Sequence, residues 1–153
     1  MTIGAVVPLA RAGDEHGNKA ANLRWLIDHG HRVPDGIIVS STDDETFENW
    51  VQPGQVYAVR SSASVEDGAE HSFAGQFASV LNVEGVEDIR DAIAEVMDSA
   101  ADDRLRPYLS HAGVDPETVR MHALVQHMVP AKCAGVAFSR NPLTGLTDVL
   151  IEA

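Results

Sequence analysis

The chain is short of cysteine, short of positive charge and has no long apolar run, and each shortage excludes something. Its single cysteine, Cys133, rules out an internal disulfide and a cysteine-rich zinc site. With Lys132 before it and Ala134 and Gly135 after it, Cys133 reads as a small packed residue at the start of a strand. A thiol activated by the lysine is the alternative. Eleven basic residues stand against 23 acidic ones, a formal net charge of −12. Nucleic-acid binding draws on many Lys/Arg–phosphate contacts, so cations this few and scattered supply no basic face. A small anion is still admissible where Lys19, Arg60 and Arg140 meet locally with a divalent cation assisting. No apolar run approaches the roughly 20 residues of a membrane span, and the N-terminus lacks the basic-then-apolar build of a signal peptide. A cytoplasmic location away from membranes is the default expectation.

What is present fits one globular domain over residues 1–153. Apolar content is 44%, and a chain of this length buries about two-thirds of its unfolded surface. There is no internal repeat and no low-complexity linker. Much of the acid falls in two patches, one at Asp43, Asp44, Glu45 and Glu48, the other spread from Glu84 to Asp103. Both read as solvated faces.

Periodicity outlines the elements. Ala20, Leu23, Leu26 and Ile27 lie at helical spacing over Asn18–His29, with Gly30 as the stop and Pro34 preventing continuation. Gly36–Ser40 reads as a buried strand, Asp44–Trp50 as a short acidic helix, and Pro53-Gly54 as a turn. Val56–Ser61 and Phe77–Val83 read as strands. The strongest helix starts near Val86, with Val86, Ile89, Ile93, Val96, Met97 and Ala100 on one stripe. Pro107 marks a new helix start or a kink, and Asp115-Pro116-Glu117 a capped helical turn. Met121–Met128, Ala134–Ser139 and Thr147–Glu152 are further strands. Strands and helices segregate without a clean βαβ repeat, which predicts an α+β domain.

The stretch from Ala58 to Gln76 carries the chemistry. An apolar strand delivers Arg60 into the small residues Ser61–Ser64. A loop with Glu66, Asp67 and Gly68 follows, and then Phe73-Ala74-Gly75-Gln76. Hydroxyl residues and glycine let a backbone approach an anion closely, and arginine offers a fork of N–H donors for phosphate oxygens. The alternative partner for Arg60 is Glu66 or Asp67, an adjacent pair better suited to loop hydrogen bonding than to sharing a metal. Lys19 falls in the first turn of its helix, where N–H groups and the helix dipole favour an anion; its alternative is an ordinary surface lysine. The histidines form no ligand triad by spacing. His122 and His127, five apart in a strand, face opposite sides and cannot share a metal.

This stretch also carries a family resemblance. Val59-Arg60-Ser61-Ser62-Ala63, with Glu66-Asp67 and Ser72-Phe73-Ala74-Gly75-Gln76, resembles the nucleotide-binding N-terminal domain shared by phosphoenolpyruvate synthase, pyruvate phosphate dikinase and rifampicin phosphotransferase. Gly17–Leu23 and Val33-Pro34-Asp35-Gly36 are similar to that family's opening helix and turn. Gly135–Gly145, with Asn141-Pro142, is similar to a later strand and turn.

The resemblance implies the N-terminal half of an ATP-grasp fold, a mixed or antiparallel sheet with flanking helices. It also implies ATP and Mg2+ as ligands, and a kinase-type transfer of a phosphoryl group to a histidine on another domain. None of the histidines here matches that acceptor's motif. By resemblance, Lys19 and Arg60 contact phosphates, Gly75 and Ser79 lie against the nucleotide, Gln126 faces adenine or ribose, and Arg140 is a third phosphate candidate. Gly75 is equally a tight-turn residue, and Asn141 equally a turn former. The spacing from Lys19 to Arg60 is shorter than the family pattern. In the family the strand at Thr147–Glu152 continues into a second half that holds the metal ligands, so the isolated chain is expected to bind nucleotide weakly and turn over nothing. The alternative is a non-catalytic module that keeps the fold and acts by association, with its parent's remaining domains or a second chain as partner.

Overall fold

The structure, a computed structural model, describes residues 6–64, 77–99, 109, 113–115, 118–141 and 144–153. Glu66, Asp67, Gly75, Ala100, Pro107, Pro116, Glu117 and Pro142 lie outside the described residues, and so do the readings that rest on them.

Two helices sandwich one antiparallel sheet. The strands are β1 (Val7–Pro8), β2 (Gly36–Val39), β3 (Val56–Ala63), β4 (Ser79–Glu84) and β5 (Met121–His127), ordered β1-β2-β5-β3-β4. Every recorded pairing is antiparallel, so the expected α+β class holds. The late strand β5 sits between β2 and β3. Its register, Ile37↔Val125 on one side and Val59↔Val125 on the other, puts Ile37, Val59 and Val125 on one face.

That face is covered by α2 (Val86–Asp98), whose stripe buries Ile89, Ala92, Ile93 and Val96 against Ile37, Val39, Tyr57, Val59, Val83, Ala123 and Val125. At roughly 1.5–3 kcal/mol for each large side chain, this cluster is the main source of burial energy. The opposite face carries α1 (Asn18–Asp28), a weaker packer that fully buries only Ala20, beside Leu9, Ala12, Ile38 and Leu124. Gly30 ends α1 at φ 78° in a Schellman motif, with Gly30 N–H on the Ile27 carbonyl and His31 N–H on the Leu26 carbonyl.

Several boundaries and environments differ from the sequence reading. The third strand runs Ser79–Glu84, because Phe77 is pulled into a small cluster with Ala63 and Leu109. Val80 and Val83 are three apart, yet both belong to the α2 cluster. A register shift opposite Tyr57 and Val59, with Asn82 at φ 59°, absorbs the extra residue.

The segment near Asp44 is a five-residue 3-10 turn, Glu45–Asn49. Asp44 is buried, not solvated: its side chain accepts from Thr46 N–H and Oγ1 and caps the turn. Glu48 and Glu45 pair with Arg90 of α2, whose guanidinium also lies over Phe47. The last two strands are short, β6 (Val136–Phe138) and β7 (Leu150–Glu152), and form a separate hairpin. Cys133 beside it is exposed, not packed, since no apolar layer among the described residues covers this segment.

Candidate nucleotide site

On the α1 side of the sheet, α1 packs over Ile38 of β2, Leu124 of β5 and Ser62 of β3, and leaves the Ala58–Arg60 stretch of β3, β4 and the end of β5 open. The register explains what gathers there. Ala58 pairs with Gln126, and Arg60 pairs with Ser79 on one flank and Leu124 on the other. Directly paired residues share a face, so Ala58, Arg60, Ser79 and Gln126 project to one side. They line an open concavity of about 410 Å³, with Leu81, Met128 and Val129 as an apolar wall and His127 at the rim. That size falls within the ordinary range of small-molecule sites.

Arg60 is half-buried, and its guanidinium takes no carboxylate or other partner among the described residues. The acids that the sequence sets near it, Glu66 and Asp67, lie outside the described residues. Gln126 is 6% exposed, and its Nε2 donates to the Pro34 carbonyl at 2.8 Å. The buried partner that a mid-strand glutamine needs is therefore the Val33–Gly36 turn. No donor among the described residues reaches its Oε1.

Lys19 approaches from α1. Its Nζ donates to the Ser61 carbonyl at 2.8 Å and lies 3.4 Å from Ser61 Oγ. The ammonium thus stands beside the residue that follows Arg60 on β3, but Lys19 is not in the lining of the concavity. The start of α1 is not an open anion site, because the Ala20 N–H is already taken by Ser62 Oγ at 3.0 Å.

Next to this junction, the His16 and His122 rings lie 5.6 Å apart, and His122 Nδ1 is 3.0 Å from Ser40 Oγ. Burial first, and then His16, hold the His122 pKa below the ordinary histidine value. His127 projects to the other face, stacked on Trp50 at 4.7 Å, so the two histidines do point apart.

Arg140 stands away from these residues. It is exposed at the turn of the β6–β7 hairpin and is not in the lining of the concavity. Asn141 has a structural task there, its Oδ1 accepting from Thr144 N–H at 3.2 Å. The sequence reading missed the apolar wall of Leu81, Met128 and Val129, and it missed the roles of Ser61 and Ser62. The two serines were visible only as small hydroxyl residues, with nothing local to name their partners. Among the described residues no group of three His, Cys, Asp or Glu side chains can hold a metal, and the lining contains no carboxylate. No helix among them is long and apolar enough to cross a membrane.

The chain also resembles known proteins. The family model for the pyruvate phosphate dikinase AMP/ATP-binding domain matches residues 44–153, which include Arg60, Ser79 and Gln126. Phosphoenolpyruvate synthase of Escherichia coli is 34% identical over 97% of this chain and 18% of its own length. Rifampicin phosphotransferase of Bacillus subtilis is 39% identical over 90% of the chain and 15% of its own length. Rifampicin phosphotransferase of a Streptomyces species is 43% identical over 58% of the chain and 10% of its own length. The chain therefore spans between a tenth and a fifth of these curated relatives.

Proposed function

Because the chain belongs to the pyruvate phosphate dikinase AMP/ATP-binding domain family, we propose that it is the nucleotide-binding part of an ATP-dependent phosphotransferase and takes ATP into the concavity over β3, β4 and β5. The observation that carries this reading is the half-buried Arg60 guanidinium, without a partner among the described residues, facing that concavity in a strongly acidic chain. Arg60 and Lys19 are the cations for the phosphates. Ser79 and Gln126 shape the polar wall, and the Leu81, Met128 and Val129 side receives the apolar base. Arg140 contributes only where the hairpin turns toward the ligand.

Phosphoryl transfer needs charge neutralisation over the moving group, and this chain offers two positioned cations for it. The described lining gives magnesium no carboxylate, so none of its residues is assigned to metal. The acceptor is a histidine on a domain beyond residues 1–153. By itself the chain is the first half of an ATP-grasp fold, a single partial domain that binds ATP and does not turn it over.

The test is a melting experiment. At ATP a hundredfold above its dissociation constant, binding adds about 2.7 kcal/mol of stability. The melting temperature of the chain rises with ATP, and Arg60→Ala abolishes the rise without lowering the ligand-free melting point by a comparable amount. An ATP-induced rise that survives Arg60→Ala sinks the assignment.

A second reading, association in place of phosphoryl transfer, has one observation in its favour. The β6–β7 hairpin leaves Val136, Val149 and Ile151 exposed, Ile151 to 70%, which suits a second copy of the chain. A concentration-dependent oligomer in sedimentation, with no nucleotide effect on melting, selects it.

A further inference from the structure

Lys19 sits on a weakly packed helix, yet its Nζ is set on the Ser61 carbonyl of β3, which requires the start of that helix to be fixed against the sheet. We infer that Ser62 is the positioning residue for Lys19, acting through the first turn of α1. This inference rests on the nucleotide reading above.

Ser62 is fully buried on the face of the sheet beneath α1. Its hydroxyl uses both of its capacities on that helix. It donates to the His16 carbonyl at 2.8 Å and accepts from the Ala20 N–H at 3.0 Å. These two contacts bracket Lys19, one before the helix and one inside its first turn.

Gly17, between them, takes φ 89°, and a Cβ there would lie 2.5 Å from the Ser62 carbonyl oxygen. Only glycine allows an approach this close. The backbone from residue 16 to residue 20 is therefore clamped onto β3 at one serine. Lys19 leaves that clamp with its Nζ 2.8 Å from the Ser61 carbonyl, one residue from Arg60. The ordering runs from Ser62 to α1 to Lys19, whose Nζ rests on the strand residue next to Arg60 of the lining.

The hydroxyl matters more than its size. In Ser62→Ala the Ala20 N–H loses its partner at a buried position, and the helix start is free to shift. A displacement of about 1 Å is enough to cost a positioned charge much of its effect. The loss falls on the outer phosphates, which Lys19 serves, and spares the base and the first phosphate.

The experiment measures ATP and AMP affinities of the full chain by titration, well below the melting point of every variant. The variants are Ser62→Ala, Lys19→Met, their combination, Gly17→Ala and Arg60→Ala. Ser62→Ala weakens ATP about tenfold or more and AMP much less, and the double variant binds ATP no more weakly than Lys19→Met alone. Gly17→Ala, which pushes the same turn off β3 while keeping the hydroxyl, gives the same pattern and carries the comparison where Ser62→Ala does not fold.

Three results overturn the inference: equal weakening of ATP and AMP, additive effects of Ser62→Ala and Lys19→Met, or unchanged ATP affinity in Ser62→Ala. Where the unaltered chain binds ATP, Arg60→Ala weakens it and Ser62→Ala does not, only this inference fails. Where the unaltered chain binds no ATP, the nucleotide reading fails and takes the inference with it.

Discussion

Arg60 and His122 lie on the same face of neighbouring strands, and each is defined by what surrounds it. Arg60 has a local signature, a charge delivered by an apolar strand into small residues, and this was legible in the sequence. The hydroxyl of Ser62 was not, since both of its partners lie on the far side of a turn and a strand. His122 was legible only in its sidedness, and its buried contact with His16 comes from tertiary packing. That contact has a pH consequence. In the unfolded chain His122 titrates near the ordinary histidine value of 6.5, while burial first and then His16 lower its pKa in the native state. Arg120 adds to the lowering, and Glu15 opposes it. Below that value the unfolded state takes up a proton that the native state resists, so stability falls as pH drops through 6.5 toward the lower native pKa. Above it the contribution vanishes. Urea unfolding between about pH 7.5 and pH 5.5 registers a decline in stability, and His122→Asn makes that decline shallower. An identical slope in the variant removes His122 as its source.

The two helices show why element patterns differ in how much they reveal. The stripe of α2 is largely legible in the sequence: Ile89, Ile93 and Val96 are buried and Val86 and Met97 partly so, while the buried Ala92 was not on it and Ala100 lies outside the described residues. The pattern of α1 is diluted because its work is to hold a turn against β3, and Trp25 ends up exposed, stacked on His29 at 3.8 Å. In β4 the valines at 80 and 83 break the two-residue period, and only the bulge at Asn82 reconciles them with one buried face. No local rule foretells a bulge from such a pair. The β6–β7 hairpin is apolar in sequence but uncovered among the described residues, so its composition overstates its burial. These differences predict different mutational costs. Ile93→Ala on α2 lowers unfolding free energy by about 2–5 kcal/mol. Ile151→Ser on the hairpin changes it by no more than about 0.5 kcal/mol. Chemical denaturation of the two variants compares them directly, and equal costs would mean that the hairpin packs against something in solution.

At the scale of the molecule, the insertion of β5 between β2 and β3 makes the site. It aligns Gln126 with Ala58, next to Arg60 and Ser79, and it lets the Val33–Gly36 turn take the Gln126 amide. Strand order was beyond the sequence reading, since pairing between distant segments leaves no periodic trace. The α+β class and the family were legible, because both rest on local motifs in order. Overall acidity leaves a phosphate ligand few places to go, and the fold sets Arg60 in the lining of the concavity, with Lys19 Nζ on the neighbouring Ser61 carbonyl. The most direct test is a set of amide chemical-shift changes in the isotopically labelled chain as ATP is added. The account predicts that they cluster at Lys19, Arg60, Ser61, Ser79, Leu81 and Gln126 and spare Val136–Phe138 and Leu150–Glu152. Changes centred on the hairpin around Arg140, or none at saturating ATP, would contradict it.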